Sequence, residues 1–291
     1  MKKATGTFSL LFFLVINTHA QPGTDIYMFD LKNENNTFEI KNKIRVTDKI
    51  GYDNQPFFHA SNPLLYYSSA NKEGFTDIMV YDYQSGETTH FTNTPDEKEY
   101  SPTLTPDGQF ISTIIERRNG AQDFGKYPLG GGKPIVLFNK DKVGYHAWAG
   151  EHTAYMFILG EPNTLHVMNF SSGTDDAVAK NIGRAIHKVP GRKAISFIHK
   201  VDENEWWIKS INTQSKIIAS LTPTLPGRED ITWTPDGSIL ISDGSKLFRF
   251  TPGKSTDWAQ VADLSAHGLN NVSRLAVNSK GDKLAVVVDE N

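Results

Sequence analysis

The sequence predicts an all-β protein, a six-bladed β-propeller built from four-stranded antiparallel blades. The phrase Thr-x-Thr-Pro-Asp-Gly occurs twice, at Thr103–Gly108 and at Thr232–Gly237. The two copies begin 129 residues apart, which is three periods of 43 residues. A period in the forties that contains a hydrophobic strand, a Pro-Asp-Gly turn and a second hydrophobic strand is typical of propeller blades. The repeat therefore predicts the architecture before any functional residue is considered.

The first 20 residues are predicted to be a secretory signal peptide. Lys2 and Lys3 make a basic start, residues 8–16 are almost uninterrupted apolar, and Thr18-His19-Ala20 places small residues at the two positions that signal peptidase reads. The apolar run is shorter than a membrane-spanning helix requires, and an uncleaved anchor is the alternative interpretation. We therefore expect residues 21–291 to form a single propeller domain.

The composition favours an exported protein that does not bind nucleic acid. The chain has no cysteine, which excludes disulfides and a lipoprotein anchor and suits a bacterial periplasmic or secreted protein. The net charge is −3, and removal of Lys2 and Lys3 leaves 28 basic against 33 acidic side chains, or −5. This balance does not provide the excess of basic side chains that binding to nucleic acid or to an anionic membrane needs. We expect a monomer that needs no cofactor.

Each blade is predicted to open with an inner hairpin, in which a turn joins two hydrophobic strands. In the turn, Pro presets φ, Asp caps main-chain amides and Gly adopts positive φ. The residues before the six turns are spaced by 46, 44, 39, 46 and 44 positions, and they are Phe58, Leu104, Trp148, His187, Trp233 and Val277. The shared position of Trp148 and Trp233 predicts packing between blades. The predicted inner hairpins are Gln55–Ser69, Ser101–Ile115, Tyr145–Leu159, Arg184–His199, Asp230–Ser242 and Ser273–Val288.

A more polar outer hairpin is predicted to follow each inner hairpin. The residues Ile78–Tyr83 are interpreted as the alternating pattern of a half-buried strand. Residues 24–30 repeat the Thr-Asp-Ile-x-x-aromatic-Asp pattern of residues 76–82. Residues 24–46 are therefore an outer hairpin with no inner hairpin before it, and residues 272–289 are an inner hairpin with no outer hairpin after it. We predict that these N- and C-terminal hairpins join as one composite blade, which leaves no exposed sheet edge in the ring.

These motifs resemble a known family. The Thr-x-Thr-Pro-Asp-Gly turns, together with the Thr-Asp-Ile-x-x-Tyr-Asp strand followed by Ser-Gly and Thr92–Pro95, resemble the WD40-like PD40 repeats of the TolB propeller family. The resemblance covers essentially residues 21–291. TolB has an additional N-terminal α/β domain that this sequence lacks, so the resemblance implies the propeller and not the role of TolB in the envelope. The repeats also resemble the propeller of prolyl-oligopeptidase-type peptidases, but without their hydrolase domain we expect no peptidase activity.

Three histidines lie in or beside the first strands of their blades. Because these strands line the central channel of a propeller, His59, His146 and His187 are candidate channel residues. Three converging imidazoles are suited to metal binding or proton transfer. The alternative is that each ring hydrogen-bonds main chain or water in a polar channel. No local spacing enforces coordination, and we therefore predict no metal site.

A second polar set begins the same strands, where every blade delivers its entry loop to one face. Mixed carboxylates, guanidinium groups and phenols suit a small polar or peptide ligand, and the alternative is a set of salt bridges and loop caps between blades. With the histidines, the predicted ligand-binding residues are Tyr100, Tyr145, Arg184, Glu229, Asp230 and Arg274. The wider set also contains Asp53, Gln55, Glu99 and Arg228.

The functional prediction follows from what the sequence contains and lacks. It contains no Gly-x-Ser-x-Gly elbow and no thiol, so we predict no catalytic residue. The leading hypothesis is an exported, non-catalytic propeller that binds a small polar ligand, a peptide or an envelope protein partner through its central channel face. One alternative is a propeller enzyme that acts on a glycan or uses a channel metal, with the histidines and Glu99, Glu229 or Asp230 in its site. Another is an assembly module that uses its outer rim.

Overall fold

The computed structural model describes residues 23–34 and 37–290, and the predicted signal peptide lies outside the described residues. The described chain forms six four-stranded sheets in which neighbouring strands pair antiparallel. The predicted all-β, six-bladed propeller is thereby confirmed. A single turn of 3-10 helix, Leu264–His267, interrupts the strands. Among the described residues no helix has the length and apolar character that a bilayer crossing needs.

The strands follow the predicted order of inner and outer hairpins. The N-terminal hairpin contains β1 (Thr24–Glu34) and β2 (Thr37–Arg45). Blade 1 contains β3 (Asp53–Phe58), β4 (Leu64–Ala70), β5 (Thr76–Asp82) and β6 (Glu87–His90). Blade 2 contains β7 (Lys98–Leu104), β8 (Phe110–Glu116), β9 (Gln122–Pro128) and β10 (Ile135–Phe138). Blade 3 contains β11 (Val143–Gly150), β12 (Thr153–Ile158), β13 (Thr164–Asn169) and β14 (Thr174–Lys180).

The remaining strands complete the ring. Blade 4 contains β15 (Ile182–Lys188), β16 (Ala194–Lys200), β17 (Trp206–Asn212) and β18 (Ile218–Pro223). Blade 5 contains β19 (Ile231–Trp233), β20 (Ile239–Asp243), β21 (Lys246–Phe250) and β22 (Ala259–Asp263). The C-terminal hairpin contains β23 (Arg274–Val277) and β24 (Lys283–Asp289).

The two terminal hairpins form blade 6, as predicted. Its sheet order is β2–β1–β24–β23. The β1–β24 register runs from Thr24 opposite Asp289 to Asp30 opposite Lys283, and the last pair also forms an ion pair. Main-chain hydrogen bonds between the two ends of the chain therefore close the ring.

In the repeated turn sequence, the Asp side chain accepts a main-chain hydrogen bond and the Gly adopts positive φ. Asp107 Oδ1 accepts a hydrogen bond from the main-chain N–H two residues later at 3.1 Å, and Gly108 has a φ of 68°. Asp236 and Gly237 repeat this arrangement, with the same 3.1 Å distance and a φ of 82°. A side chain that satisfies the turn amides and a residue free to adopt positive φ bring the two inner strands into register.

The hydrophobic core is divided into six clusters, one at each junction between neighbouring blades. Five junctions bury nine or more apolar side chains. The junction of blades 1 and 2 buries only Tyr66, Ile78 and Ile111, with partly buried residues around them. At that junction a fully buried carboxyl group takes up space in the interior.

Glu99 is this buried carboxyl group, with no exposed surface. Its oxygens accept hydrogen bonds from Thr94 Oγ1 at 2.9 Å, Tyr127 OH at 3.0 Å and Thr92 Oγ1 at 3.2 Å. Asp77 lies beside it and accepts from the Thr94 main-chain N–H at 2.9 Å. Loss of hydration, together with the nearby Asp77 charge, raises the pKa of Glu99 to about 7 in spite of these hydrogen bonds.

The junction of blades 6 and 1 has a similar arrangement. Thr47 Oγ1 donates to Asp25 Oδ1 at 3.2 Å and accepts from the Ile26 main-chain N–H at 2.9 Å. Burial raises the pKa of the neighbouring Asp53 to about 6. The repeated Thr-Asp-Ile strand thus places an acidic pair at two successive blade junctions. Glu99 and Asp53, members of the wider polar set, therefore contribute to the blade junctions.

Two tryptophans bind neighbouring blades together, as their shared repeat position predicts. Trp148 Nε1 donates to Ser112 Oγ in the preceding blade at 2.8 Å. Trp233 Nε1 donates to Ser196 Oγ, also in the preceding blade, at 2.8 Å. Both tryptophan rings lie in the apolar clusters of their junctions. Each indole therefore buries its ring and satisfies its only polar group.

Candidate functional site

A cavity of about 630 Å³ occupies the central channel. The first strand of every blade, β3, β7, β11, β15, β19 and β23, contributes to its lining. This volume lies within the range of roughly 300–1,000 Å³ that is usual for small-ligand pockets. The channel is therefore the candidate functional site.

One polar side chain from each blade lies at the entry end of this channel. Each of these residues precedes the turn-preceding residue of its blade by three positions. All of them line the cavity. We call the set the entry ring, and its members are Gln55, Ser101, Tyr145, Arg184, Asp230 and Arg274.

A bulge in the inner strand shapes the ring in blades 1 and 2. Gln55 has a φ of 58° and Ser101 a φ of 56°, in the left-handed region that is unfavourable for residues with a Cβ. Both are followed by proline, and the strand register shifts at both places. Gln55 Oε1 accepts hydrogen bonds from the Ser101 main-chain N–H at 2.6 Å and from Ser68 Oγ at 3.0 Å. These bonds hold the strained segments in place and connect the two blades.

Arg184 and Asp230 form an ion pair between blades 4 and 5. Arg184 Nε donates to Asp230 Oδ1 at 3.0 Å, and its Nη2 donates to Oδ2. The Arg184 main-chain N–H donates to Glu229 Oε2 at 3.1 Å, and Lys200 Nζ lies 3.1 Å from the same oxygen. Burial disfavours the charged guanidinium, but the bond to Asp230 raises the pKa of Arg184 above its ordinary value. For this pair, the structure shows the inter-blade salt bridge that was one of the two interpretations of the polar set.

Arg274 is paired differently. Its Nη2 donates to the Tyr145 hydroxyl at 2.9 Å, and its guanidinium carbon lies 5.2 Å from the centroid of the Tyr145 ring. Arg274 belongs to blade 6 and Tyr145 to blade 3, which lie opposite each other in a ring of six. Within the part of the chain that the structure describes, no carboxylate forms an ion pair with Arg274. The side chain thus places in the channel a guanidinium group that has no carboxylate in direct contact. Burial disfavours its charge, but the nearby Tyr145 and Asp230 raise the pKa of Arg274 above its ordinary value.

His146 and His187 both line the cavity. His146 Nε2 lies 2.7 Å from Ser112 Oγ, the serine that also accepts from Trp148. Burial lowers the pKa of His146 to about 3, and burial lowers that of His187 to about 4. Both imidazoles are therefore neutral at physiological pH.

The His59 side chain stabilises a turn. Its Nδ1 accepts hydrogen bonds from the Asn62 main-chain N–H at 3.0 Å and from that of Ser61 at 3.2 Å, which stabilises the β3–β4 turn. It does not line the cavity, so the three histidines do not converge there. Among residues 23–34 and 37–290, no three acidic or histidine side chains are grouped closely enough to hold a metal ion.

The structure thus brings six of the nine predicted site residues into the cavity wall: Tyr145, His146, Arg184, His187, Asp230 and Arg274. His59, Tyr100 and Glu229 lie outside the lining. Tyr100 packs in the cluster between blades 2 and 3, against the edge of Tyr52, and Glu229 faces Arg184 and Lys200. The prediction missed Ser101, although the same count of three positions before the turn would have identified it.

A second ring lies farther along the channel, one position before the turn-preceding residue of each blade. Its members line the cavity, and they are Phe57, Thr103, Ala147, Ile186, Thr232 and Ala276. Four are apolar and two carry hydroxyl groups. The channel wall therefore changes from fully polar at the entry ring to mainly apolar at this second ring.

Comparisons with known proteins agree on the fold. No protein-family model matches the sequence, and no curated protein is similar to it in sequence. Among solved structures, putative TolB from Agrobacterium tumefaciens superposes with a TM-score of 0.69 at 13% identity, covering 93% of this chain and 99% of that one. TolB from Acinetobacter baumannii gives a TM-score of 0.60 at 13% identity and covers 92% of this chain. The match spans 64% of the length of that TolB chain.

A lyase is also similar to this chain in fold. Oligogalacturonate lyase in complex with manganese superposes with a TM-score of 0.54 at 13% identity, covering 90% of this chain and 78% of that one. At such identities the comparisons establish a shared fold. The protein is thus a six-bladed β-propeller with a TolB-like fold, and its function has to be inferred from its own channel.

Proposed function

We propose that this protein is an exported, non-catalytic propeller that binds a small polar ligand, a peptide or an envelope protein partner through its central channel face. The observation that carries the proposal is the entry ring, which places six polar side chains at one end of a 630 Å³ cavity. One of them, Arg274, has a neutral phenol as its hydrogen-bond acceptor. A buried or half-buried guanidinium is stabilised by an anionic partner, and a ligand can provide one.

Export is the second part of the proposal. It is supported by Lys2 and Lys3, the apolar residues 8–16, the small residues before position 21 and the absence of cysteine. We propose a periplasmic or secreted monomer whose repeats belong to the WD40-like PD40 type. N-terminal sequencing of the protein recovered from a periplasmic fraction tests the proposed cleavage after Ala20.

A channel-blocking variant tests binding. Ala276 lies in the second ring, and Ala276→Trp adds a large side chain that fills the cavity at this level. The matched control is Ala266→Trp, which places the same side chain at an exposed position of the 3-10 helix. Thermal-shift and calorimetric measurements against peptides, glycans and purified envelope proteins should find ligands that the wild type and Ala266→Trp bind and that Ala276→Trp does not.

The outcomes separate binding from catalysis. A ligand that is recovered unchanged and is lost only in Ala276→Trp supports the proposal. Turnover of a substrate that is abolished by Ala276→Trp and retained by Ala266→Trp would establish a propeller enzyme instead. Binding that is equal in all three proteins would place the interaction outside the channel and contradict the proposal.

A further inference from the structure

The channel differs in charge from the protein as a whole. The chain has a net charge of −3. Among the described residues, however, its cavity is lined by three basic side chains, Arg184, Lys188 and Arg274, and by one carboxylate, Asp230. Lys188 is the exposed member of this set. Both lining histidines are neutral at physiological pH because burial lowers their pKa values. A cavity of net positive charge in an acidic protein selects for an anionic ligand.

Arg274 is the lining residue with guanidinium N–H groups left to bind this anion. Asp230, the one carboxylate among the described residues of the lining, binds Arg184 in the two-point interaction described above, and it acts on Arg274 only from a distance. Arg274 donates from Nη2 to Tyr145, which leaves other N–H groups of its guanidinium for a ligand. A carboxylate matches the planar fork of donors on a guanidinium group.

The remainder of the cavity is suited to an apolar body. The second ring presents Phe57, Ala147, Ile186 and Ala276 to the cavity, interrupted by the hydroxyl groups of two threonines. Beyond it the lining ends at the turns, where Pro106, Pro190 and Pro235 lie together with the polar residues Lys188, Asn278 and Ser279. A ligand that enters from the turn face therefore passes the mainly apolar second ring before it reaches the entry ring.

We propose that the channel ligand is an amphipathic carboxylate, with its carboxylate at Arg274 and its apolar part along the second ring. This inference rests on the proposed function, because it names the ligand class for the same channel. It disfavours neutral glycans, which lack an anionic group and have little apolar surface. A free organic acid and the C-terminal residue of a peptide share this chemistry.

Calorimetric titration of three small probes tests the proposal: 4-phenylbutyrate, its primary amide and acetate. The acid should bind the wild type at least about tenfold more tightly than either the amide or acetate, because only the acid has both the charge and the apolar part. A dipeptide with C-terminal phenylalanine and its C-terminal amide then distinguish a peptide terminus from a free acid.

Variants locate the carboxylate. Arg274→Gln should weaken 4-phenylbutyrate binding about tenfold and leave amide binding unchanged. The control Arg228→Gln alters a partly exposed arginine whose ion pair with Asp243 lies outside the cavity lining, and it should have no effect. If Arg274→Gln does not fold, the comparison of acid with amide on the wild type still decides the question.

The possible negative results distinguish failure of the carboxylate inference from failure of the proposed function. If the amide binds as tightly as the acid, the carboxylate inference is wrong. If a neutral glycan or peptide amide binds in a manner sensitive to Ala276→Trp while the acid does not bind, this inference fails and the proposed function stands. If no probe or screened ligand shows binding sensitive to Ala276→Trp, both fail.

Discussion

The Arg274 guanidinium and the Tyr145 hydroxyl meet across the central channel, at 2.9 Å and from opposite blades. The two residues are 129 positions apart, the same interval that separates the two copies of the turn phrase at Thr103 and Thr232. Three repeat periods in a ring of six correspond to half a revolution. An interval first visible as a sequence repeat therefore also identifies residues that face each other.

The cross-channel hydrogen bond should contribute modestly to stability. Tyr145→Phe removes the acceptor of Arg274 but keeps the aromatic ring beside the guanidinium. We expect the free energy of unfolding to fall by about 1–2 kcal/mol, as for a partly exposed hydrogen bond to a charged donor. Urea denaturation measures the change. The control Tyr27→Phe, whose hydroxyl makes no hydrogen bond among the described residues, should change stability by less than about 0.5 kcal/mol.

Asp230 should act against anion binding in the channel. Asp230→Asn removes the carboxylate that binds the Arg184 side chain at two points, so that Glu229, 3.8 Å from Arg184 Nε, is its remaining ion-pair partner. The cavity lining thereby becomes more positive. We expect the affinity for 4-phenylbutyrate to rise about three- to tenfold at low salt and the gain to shrink as salt is added. The control Asp243→Asn removes the carboxylate partner of Arg228, which lies outside the cavity lining, and should leave affinity unchanged. Equal affinities in the two variants would show that the channel does not sense the charge of Asp230.

The two inter-blade hydrogen bonds from tryptophan to serine, Trp148–Ser112 and Trp233–Ser196, should differ in what their serines contribute to the free energy of unfolding. Ser112 Oγ donates to the Thr103 carbonyl at 3.0 Å and also contacts His146 and Trp148. Ser196 Oγ contacts Trp233 and, at the longer distance of 3.4 Å, the His187 carbonyl. Ser112→Ala therefore leaves more buried polar groups without partners.

We expect the Ser112→Ala substitution to destabilise the protein by about 2–4 kcal/mol and Ser196→Ala by about 1–2 kcal/mol. Urea midpoints at equal m-values give the comparison. The reverse order of the two variants would contradict the assigned hydrogen bonds.

Stability should fall as pH rises toward neutrality. The pKa of Glu99 is about 7 in the folded protein against 4.5 for an ordinary glutamate, so between these values the folded state binds more protons than the unfolded state. Stability from this group is complete below pH 4.5 and is lost as pH rises through 7, by about 3 kcal/mol at most. Asp53, with a pKa of about 6, acts in the same direction.

Glu99→Gln isolates this contribution. The amide cannot ionise, and so the variant should lose less stability than the wild type between pH 5 and pH 8, values chosen to span the pKa of about 7. Urea denaturation across this range measures the slopes. Parallel slopes for wild type and variant would mean that Glu99 does not titrate in the folded protein near neutral pH. Glu116→Gln, a partly exposed change on the same blade, is the control.

Much of the fold was predictable because turn chemistry and strand periodicity are local. The spacing of Phe58, Leu104, Trp148, His187, Trp233 and Val277 located the inner hairpins, and the pattern shared by residues 24–30 and 76–82 predicted the composite blade. Both predictions depend on properties of short segments, and both are confirmed.

The sequence predicts which positions line the channel entrance, but it does not predict which side chains pair there. The residue three places before each turn identifies the entry ring, but pairing within the ring depends on side-chain reach across blades. Nothing in the sequence distinguishes Arg184, which reaches the neighbouring Asp230, from Arg274, which reaches the opposite Tyr145. Likewise His59 lies at a channel-strand end, yet its ring turns back onto its own turn amides.

The composite blade also has a consequence for the folding kinetics. Its central ladder pairs Thr24 with Asp289, so that the closing contacts join residues from nearly opposite ends of the described chain. Contacts of such large sequence separation form slowly. The intervening chain must lose conformational entropy before these contacts can stabilise the fold. A chain emerging vectorially can complete its individual middle blades early, but the ring can close only when the final strand has been released. Until then the edge of β1 that pairs with β24 has no partner strand. An unpaired strand edge is prone to aggregation and to capture by a chaperone.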